Sequence, residues 1–103
     1  MIIRLSRGGE IRLDAPTDFK RFKVVVEDAR KDVARARAAL APVARLEDEA
    51  TAWVSETALR GWEGWKDDRA WQDGLTAMIA KAEPHGWVDR ASGAIKAHVE
   101  WTD

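Results

Sequence analysis

The sequence predicts an α+β domain in which an antiparallel sheet, built from N- and C-terminal β-hairpins, has two or three helices packed on one face. Apolar and polar residues alternate near both ends of the chain, which is typical of strands that are buried on one side. Between these ends, apolar residues recur at helical spacing over two long stretches. A chain of 103 residues has room for one hydrophobic core, so residues 1–103 are expected to form a single domain.

The N-terminal hairpin is predicted over residues 2–13. A glycine pair separates two apolar pairs in this segment: Ile3, Leu5, Gly8, Gly9, Ile11 and Leu13. A two-residue loop would put the two apolar pairs on opposite faces, because a shift of one residue turns every side chain over. A three-residue loop over residues 7–9 pairs Leu5 with Ile11 and gives one shared apolar face, with Gly9 in the left-handed conformation. This second register is the prediction.

The first helix is predicted over residues 19–40, after a Pro-Thr-Asp start at residues 16–18. Its apolar residues follow one another at alternating steps of three and four: Phe19, Phe22, Val26, Ala29, Val33, Ala36 and Leu40. The triplet at residues 24–26 is all valine and favours a strand at the start, since β-branched residues suit strands. The continuity of the stripe favours one helix throughout, and Pro42 ends it.

Residues 44–61 allow two interpretations. In the first, a polar connector at residues 45–49 leads to a short strand at 51–54 and then to a helix at 56–60 capped by Ser55. In the second, one helix runs from about residue 44 to residue 61. Two glycines, Gly61 and Gly64, end either arrangement.

The clearest helix is the one that follows. Asp67 or Asp68 caps its N-terminus, and the Pro-His-Gly sequence at residues 84–86 ends it. Its apolar stripe has helical spacing throughout and consists of Trp71, Leu75, Met78, Ile79 and Ala82.

The second hairpin is predicted at the C-terminal end. Four apolar residues alternate there with polar ones: Ile95, Ala97, Val99 and Trp101. A loop at residues 91–93, with Gly93 in the left-handed conformation, pairs Trp87 with Ala97 and Asp89 with Ile95.

The composition narrows the class of protein. Cysteine is absent, which excludes disulfides and thiolate metal sites. The first residues are too polar for a signal peptide, and no run approaches the roughly 18 apolar residues of a membrane span. We therefore expect a soluble cytoplasmic protein without membrane contact.

Charge is distributed unevenly along the chain. Residues 1–45 carry 11 Lys and Arg against 6 Asp and Glu, whereas residues 46–103 carry 6 against 12. The two segments either neutralise each other within the domain or form a dipolar surface that steers a charged partner or drives self-association. Acidic residues interrupt the basic face of the first predicted helix and the pI is about 6.1, so no nucleic-acid partner is expected.

No established catalytic motif is present. The glycine pair at residues 8–9 lacks the flanking pattern of a phosphate loop, and neither G-x-S-x-G nor H-E-x-x-H occurs. We therefore expect no cofactor and no metal site.

The chain has six tryptophans, all in its second half. Four of them lie on predicted apolar faces and are expected in the core: Trp53, Trp71, Trp87 and Trp101. The other two, Trp62 and Trp65, lie in a glycine-spaced linker. They either plug the rim of the core or present an exposed aromatic surface to a partner.

The two histidines are candidate polar groups. His98 and Glu100 project together from the polar side of the last predicted strand, which suits a general base with its orienting carboxylate or half of a metal site. A solvated polar face is the simpler interpretation. His85 follows a helix C-terminus, where it either caps the helix or offers a polar group beside Trp87.

These observations favour a small, non-catalytic accessory or protein-interaction domain, with a protein partner or self-association. The alternative is a small-molecule-binding domain or small enzyme. Its pocket would lie between the sheet and the helices of residues 56–83, with His85 as the polar group and four tryptophans as its walls: Trp53, Trp62, Trp65 and Trp87. A pocket of roughly 300 Å³ or more would favour this alternative.

Overall fold

A mixed sheet of six strands organises the molecule. In this computed structural model, which describes residues 1–103, the strands are β1 (Ile2–Leu5), β2 (Ile11–Asp14), β3 (Lys23–Glu27), β4 (Ala44–Leu46), β5 (Thr51–Val54) and β6 (Ile95–Thr102). Their order across the sheet is β2-β1-β3-β6-β5-β4. β3 runs parallel to both β1 and β6, and the remaining pairs are antiparallel. The helices are α1 (Val33–Leu40), α2 (Glu56–Arg60) and α3 (Arg69–Ala82), and one 3-10 turn (Glu83–His85) follows α3.

The α+β class is confirmed, but the prediction of an antiparallel sheet built from two terminal hairpins is wrong. The N-terminal hairpin forms in the predicted register, with Leu5 opposite Ile11. Gly9 has the positive φ of 88° that the loop requires. At the other end, β6 pairs with β5 and β3, two strands that come from earlier in the chain. In this central position β6 has a hydrogen-bonded strand along each of its two edges, whereas a hairpin at the sheet edge would leave one edge unpaired.

The segment before β6 keeps only one bridge to it, between Val88 and Ile95. This register differs by one residue from the predicted pairing of Asp89 with Ile95. Because a shift of one residue reverses the faces, Val88 takes the apolar side and Trp87 the polar side. Trp87 therefore lies outside the core, contrary to the prediction.

The prediction of one helix over residues 19–40 is also wrong. Residues 23–27 form β3 in the centre of the sheet, and α1 begins only at Val33, where the Asp32 side chain accepts a hydrogen bond of 3.0 Å from the Arg35 backbone N–H. The central position of β3 buries both of its faces, so even Val25, on the face opposite the core, is only 6% exposed. A strand buried on both faces is a continuous apolar run, which is what the three valines provide.

Residues 44–61 contain the strand and short helix of the first interpretation. Ser55 caps α2, because its Oγ accepts a hydrogen bond of 3.1 Å from the Ala58 N–H. Part of the expected polar connector is β4, whose outward residue is Arg45. α3 forms where it was predicted, and its cap is Asp68, which accepts from the Trp71 N–H at 3.0 Å.

The core lies between one face of the sheet and the helices. Buried residues of all three helices belong to one cluster with the inward residues of the strands; those from the helices are Ala36, Leu40, Leu59, Trp71, Leu75 and Ala82. α1 contacts both β4 and β1, which lie towards opposite edges of the sheet, so the sheet is curled around it. None of the helices has the length and apolar character that crossing a membrane requires.

The opposite face of the sheet is polar and carries ion pairs. Arg4 bridges Asp14 at 2.7 Å and Glu27 at 3.4 Å, and Lys23 contacts Glu100 at 3.0 Å. The two carboxylates hold the pKa of Arg4 above its usual value, mainly through the hydrogen bond that its guanidinium donates to Asp14. This face therefore presents mainly charged and polar residues, and the helices cover the apolar face.

Candidate ligand-binding groove

A groove of about 780 Å³ opens between α3 and the first half of β6. β5 lies along one edge of β6. Along the other edge, the neighbouring segment changes from the residues around Trp87 to β3. Lys96 donates its backbone N–H to the Trp87 carbonyl at 2.7 Å, whereas His98 already lies opposite Lys23 of β3. The groove forms between the segment around Trp87 and the start of β3. Its two walls are therefore the segment around His85 and Trp87 (the His85 wall) and the segment around Phe19 and Phe22 (the Phe19 wall).

The Phe19 wall rests directly on α3. A Cβ atom added to Gly74 would lie 2.5 Å from the Phe19 ring, so the ring occupies the space that a larger residue would fill. Glycine in a helix interior costs about 1 kcal/mol relative to alanine, and this close approach explains why the helix carries one. Trp71 contacts the same ring with a centroid separation of 6.4 Å and donates its indole N–H to the Pro16 carbonyl at 2.9 Å. The wall is thus attached to α3 at two points.

The N-terminus also holds the Phe19 wall. The Met1 amino group donates to the backbone oxygen of Asp18 and, at 3.3 Å, to that of Arg21. Burial lowers the pKa of this amino group; the Asp18 charge opposes the shift, while Arg21 and Lys23 add to it. The loop that bears the wall is therefore attached to the residue just before β1.

The His85 wall is an aromatic stack at the end of α3. The imidazole of His85 lies on the indole of Trp87, with ring centroids 4.3 Å apart and planes 20° from parallel. Gly86 between them has φ of 75°, the left-handed conformation that turns the chain back after a helix. Trp87 is 46% exposed and is the only large apolar residue that is so exposed. Stacking fixes the imidazole at the groove.

Apart from Thr51, the residues that line the groove are apolar or basic. Three lysines and two histidines are among them, namely Lys20, Lys81, Lys96, His85 and His98, and there is no aspartate or glutamate. None of the three lysines takes part in an ion pair within 4.0 Å. Unpaired lysines beside apolar walls, in a chain of net charge −1, make a local site for an anion that also has apolar surface.

The structure does not bring the four predicted pocket tryptophans together. Of these, only Trp87 lines the groove, together with the predicted His85. Trp62 and Trp65 are half-buried and pack against the core, and Trp65 lies 5.7 Å from Trp71 between ring centroids. This position matches the alternative in which they plug the rim of the core.

Trp53 is on the polar face of the sheet instead of in the core as predicted. It lines a separate recess of about 350 Å³ beside Arg37 and Arg45. Its indole N–H donates to the Glu47 carboxylate at 3.1 Å. Nearby, hydrogen bonds from Ser92 and the Ala91 N–H, with a smaller effect of the Arg45 charge, lower the pKa of Asp89. The recess is lined by two arginines, but it has less than half the volume of the groove, and the carboxylates of Glu47 and Asp89 contact its lining residues Trp53 and Ser92.

His98 and Glu100 do not act as the predicted pair, because each has a different environment. His98 lines the groove, whereas the Glu100 carboxylate accepts a hydrogen bond of 3.0 Å from the Lys23 ammonium group. Glu100 therefore pairs with Lys23 and does not orient the imidazole of His98. No group of three or more His, Asp or Glu side chains is placed to hold a metal ion.

Sequence reasoning missed most of the groove. The sequence predicts Phe19 and Phe22 on the stripe of a helix that does not exist, and no pattern in it singles out Lys81 or Lys96. One indication was available: a glycine inside the clearest helix of the chain, Gly74, marks a point where another group comes close to the backbone.

Comparisons with protein-family models, with curated proteins and with solved structures found no match to this chain. The shape and charge of the groove are therefore the basis for inferring a function.

Proposed function

We propose that this protein is a small-molecule-binding domain and that its groove takes an apolar anion, a compact ligand with an apolar body and a carboxylate or similar charged group. One observation carries the proposal: apolar walls and five basic side chains, without any carboxylate, line a single groove of about 780 Å³. This volume lies in the range of roughly 300–1,000 Å³ that small-molecule sites occupy.

The two kinds of lining residue have different roles. Apolar groups such as Phe19, Phe22 and Met78 would bury the body of the ligand, which supplies most of the binding free energy. The lysines would select for negative charge and accelerate encounter, and salt would screen this contribution. The packing of Trp62 and Trp65 against the core leaves the linker without the exposed aromatic pair on which the protein-interaction interpretation relied.

A fluorescent apolar anion tests this proposal. We expect anilinonaphthalene sulfonate to bind with a fluorescence increase, and the double variant Lys81→Gln/Lys96→Gln to bind it about tenfold more weakly, since tenfold corresponds to about 1.4 kcal/mol. Charge-assisted contacts of this kind contribute about 1.5–3 kcal/mol when well formed. The matched control is Arg69→Gln, which removes one positive charge from the same helix outside the groove.

The neutral analogue N-phenylnaphthylamine separates charge selection from simple apolar binding. We expect the double variant to bind the neutral dye as the unmodified protein does. Equal affinity of the unmodified protein and the double variant for the sulfonate, or an equal loss in Arg69→Gln, would show that the groove lysines do not select anions.

A second candidate function is a protein contact at the rim of the groove. Trp87 is the exposed large apolar residue there, and aromatic residues of this kind anchor protein interfaces. Charge could add to such a contact: Lys23–Glu100 is the one ion pair that joins the basic segment, residues 1–45, to the acidic segment, residues 46–103.

Sedimentation velocity tests self-association through this rim. If it occurs, a larger species should form at low salt and decrease both at physiological salt and in Trp87→Ala. A single species that neither salt nor the substitution changes would exclude it.

A further inference from the structure

We propose that the ligand of the groove is a linear dicarboxylate with an aliphatic spacer, held at each end by one of two basic clusters. This inference rests on the proposed function and specifies its ligand. The clusters lie on opposite walls: Lys81, His85 and Lys96 on the His85 wall (the first cluster), and Lys20 and His98 on the Phe19 wall (the second cluster).

The first cluster is assembled around Trp87. The His85 ring stacks on the Trp87 ring, and the Trp87 carbonyl accepts the backbone N–H of Lys96 at 2.7 Å. Lys81 lies four residues before His85, which is about one helical turn. All three basic groups therefore approach the same end of the groove.

The second cluster is assembled around the start of β3. His98 lies opposite Lys23, and Lys20 precedes that residue by three positions. Lys20 also follows Phe19, whose ring rests on Gly74. The side chain of Asp18, the nearest acidic residue in the sequence, contacts Arg21 at 3.8 Å. Lys20 thus remains without an ion-pair partner at this end.

The distance between the clusters suits a short chain. Gly74, which marks the Phe19 wall, precedes Lys81 by seven residues of α3, and a rise of 1.5 Å per residue separates them by about 10 Å. Along β6, Lys96 and His98 are about 7 Å apart. The lining residues between the clusters are apolar, including Ala77 and Met78 on α3 and Ala97 on β6. Charge at both ends and none in the middle is complementary to a dicarboxylate with an aliphatic spacer.

A matched pair of acids tests this inference. Decanoate and decanedioate have the same number of carbon atoms and differ in the second carboxylate. We expect decanedioate to displace anilinonaphthalene sulfonate at least about fivefold more effectively, since one partly exposed ion pair contributes up to about 1 kcal/mol. The advantage should decrease in high salt. Decanoate is used below the concentration at which it forms micelles, and calorimetry gives both affinities directly.

Variants that each remove one positive charge show which cluster binds each carboxylate of the ligand. Lys20→Gln should remove the advantage of decanedioate and leave decanoate nearly unchanged, because a monocarboxylate takes the larger first cluster. Lys81→Gln should weaken both acids, and Arg69→Gln should affect neither.

The outcomes distinguish this inference from the proposed function. Equal affinities for the two acids, or a decanedioate advantage that survives Lys20→Gln, would overturn the inference that the ligand is a dicarboxylate. The proposed anion-binding function would still stand if binding of the sulfonate dye depends on Lys81 and Lys96. If the dye binding does not depend on these lysines, both proposals fail.

Discussion

The Trp71→Ala variant is expected to lose about 3–5 kcal/mol of unfolding free energy. Trp71 is 2% exposed and contacts aromatic rings on both sides, those of Phe19 and Trp65. Its indole N–H satisfies the Pro16 carbonyl at 2.9 Å, so truncation leaves a cavity and also an acceptor without its partner. Domains of this kind have a total stability of about 5–15 kcal/mol, so the variant should be marginal at room temperature.

Urea denaturation followed by circular dichroism measures this effect, and Trp87→Ala is the matched control. Trp87 is 46% exposed, and its truncation should change the stability by no more than about 0.5 kcal/mol, as is usual at the surface. Trp71→Phe should fall between them, because it keeps a ring but not the hydrogen bond. Equal midpoints for Trp71→Ala and the unmodified protein would mean that Trp71 is not in the core.

A pair of proline variants should behave in opposite ways. Val24→Pro is expected to unfold the protein, because Val24 is fully buried in β3 between β1 and β6, where proline removes a ladder hydrogen bond and is not tolerated. Val33→Pro should be tolerated. Val33 is the first residue of α1, a position that favours proline, and the preceding Asp32 has the extended conformation, with ψ of 92°, that proline requires of its neighbour.

This pair separates the observed structure from the helix that the sequence predicts over residues 19–40. In that helix both positions are internal, and both substitutions would cost about 3 kcal/mol or more. Thermal denaturation of the two variants distinguishes the observed structure from the predicted helix. Loss of cooperative unfolding in both, or in neither, would contradict a strand at residues 23–27 followed by a helix that begins at Val33.

The predicted helix was wrong for an instructive reason. Its spacing joined the inward residues of two different elements, Val26 of β3 and Ala36 of α1, into one apparent stripe. The burial of these two residues was assigned correctly, but Ala29, which lies between them in the predicted stripe, is exposed, and the backbone there is not helical. Lys31, with φ of 51°, lies in the turn between these elements and is incompatible with a continuous helix.

Elements whose pattern depends on near neighbours were predictable. The register of the N-terminal hairpin follows from two apolar pairs and a loop of defined length, and α3 follows from an aspartate cap and an apolar stripe. The C-terminal hairpin was not predictable, because the partners of β6 are β3 and β5, which lie far away in the sequence. Local patterning shows that residues 95–102 form a strand but does not show which strands lie beside it.

In the groove, too, local features were predictable from the sequence and long-range contacts were not. The sequence by itself determined that His85 and Trp87 lie next to each other beyond a helix C-terminus, and that a glycine interrupts the interior of that helix. The tertiary structure alone decided that Phe19 rests on Gly74, and that Lys20, Lys81 and Lys96 line one groove that has no carboxylate in its lining. The physical reason is that charge and apolar surface act over a few ångströms in space. Residues separated by up to 76 positions in the chain become neighbours only when β6 enters the centre of the sheet.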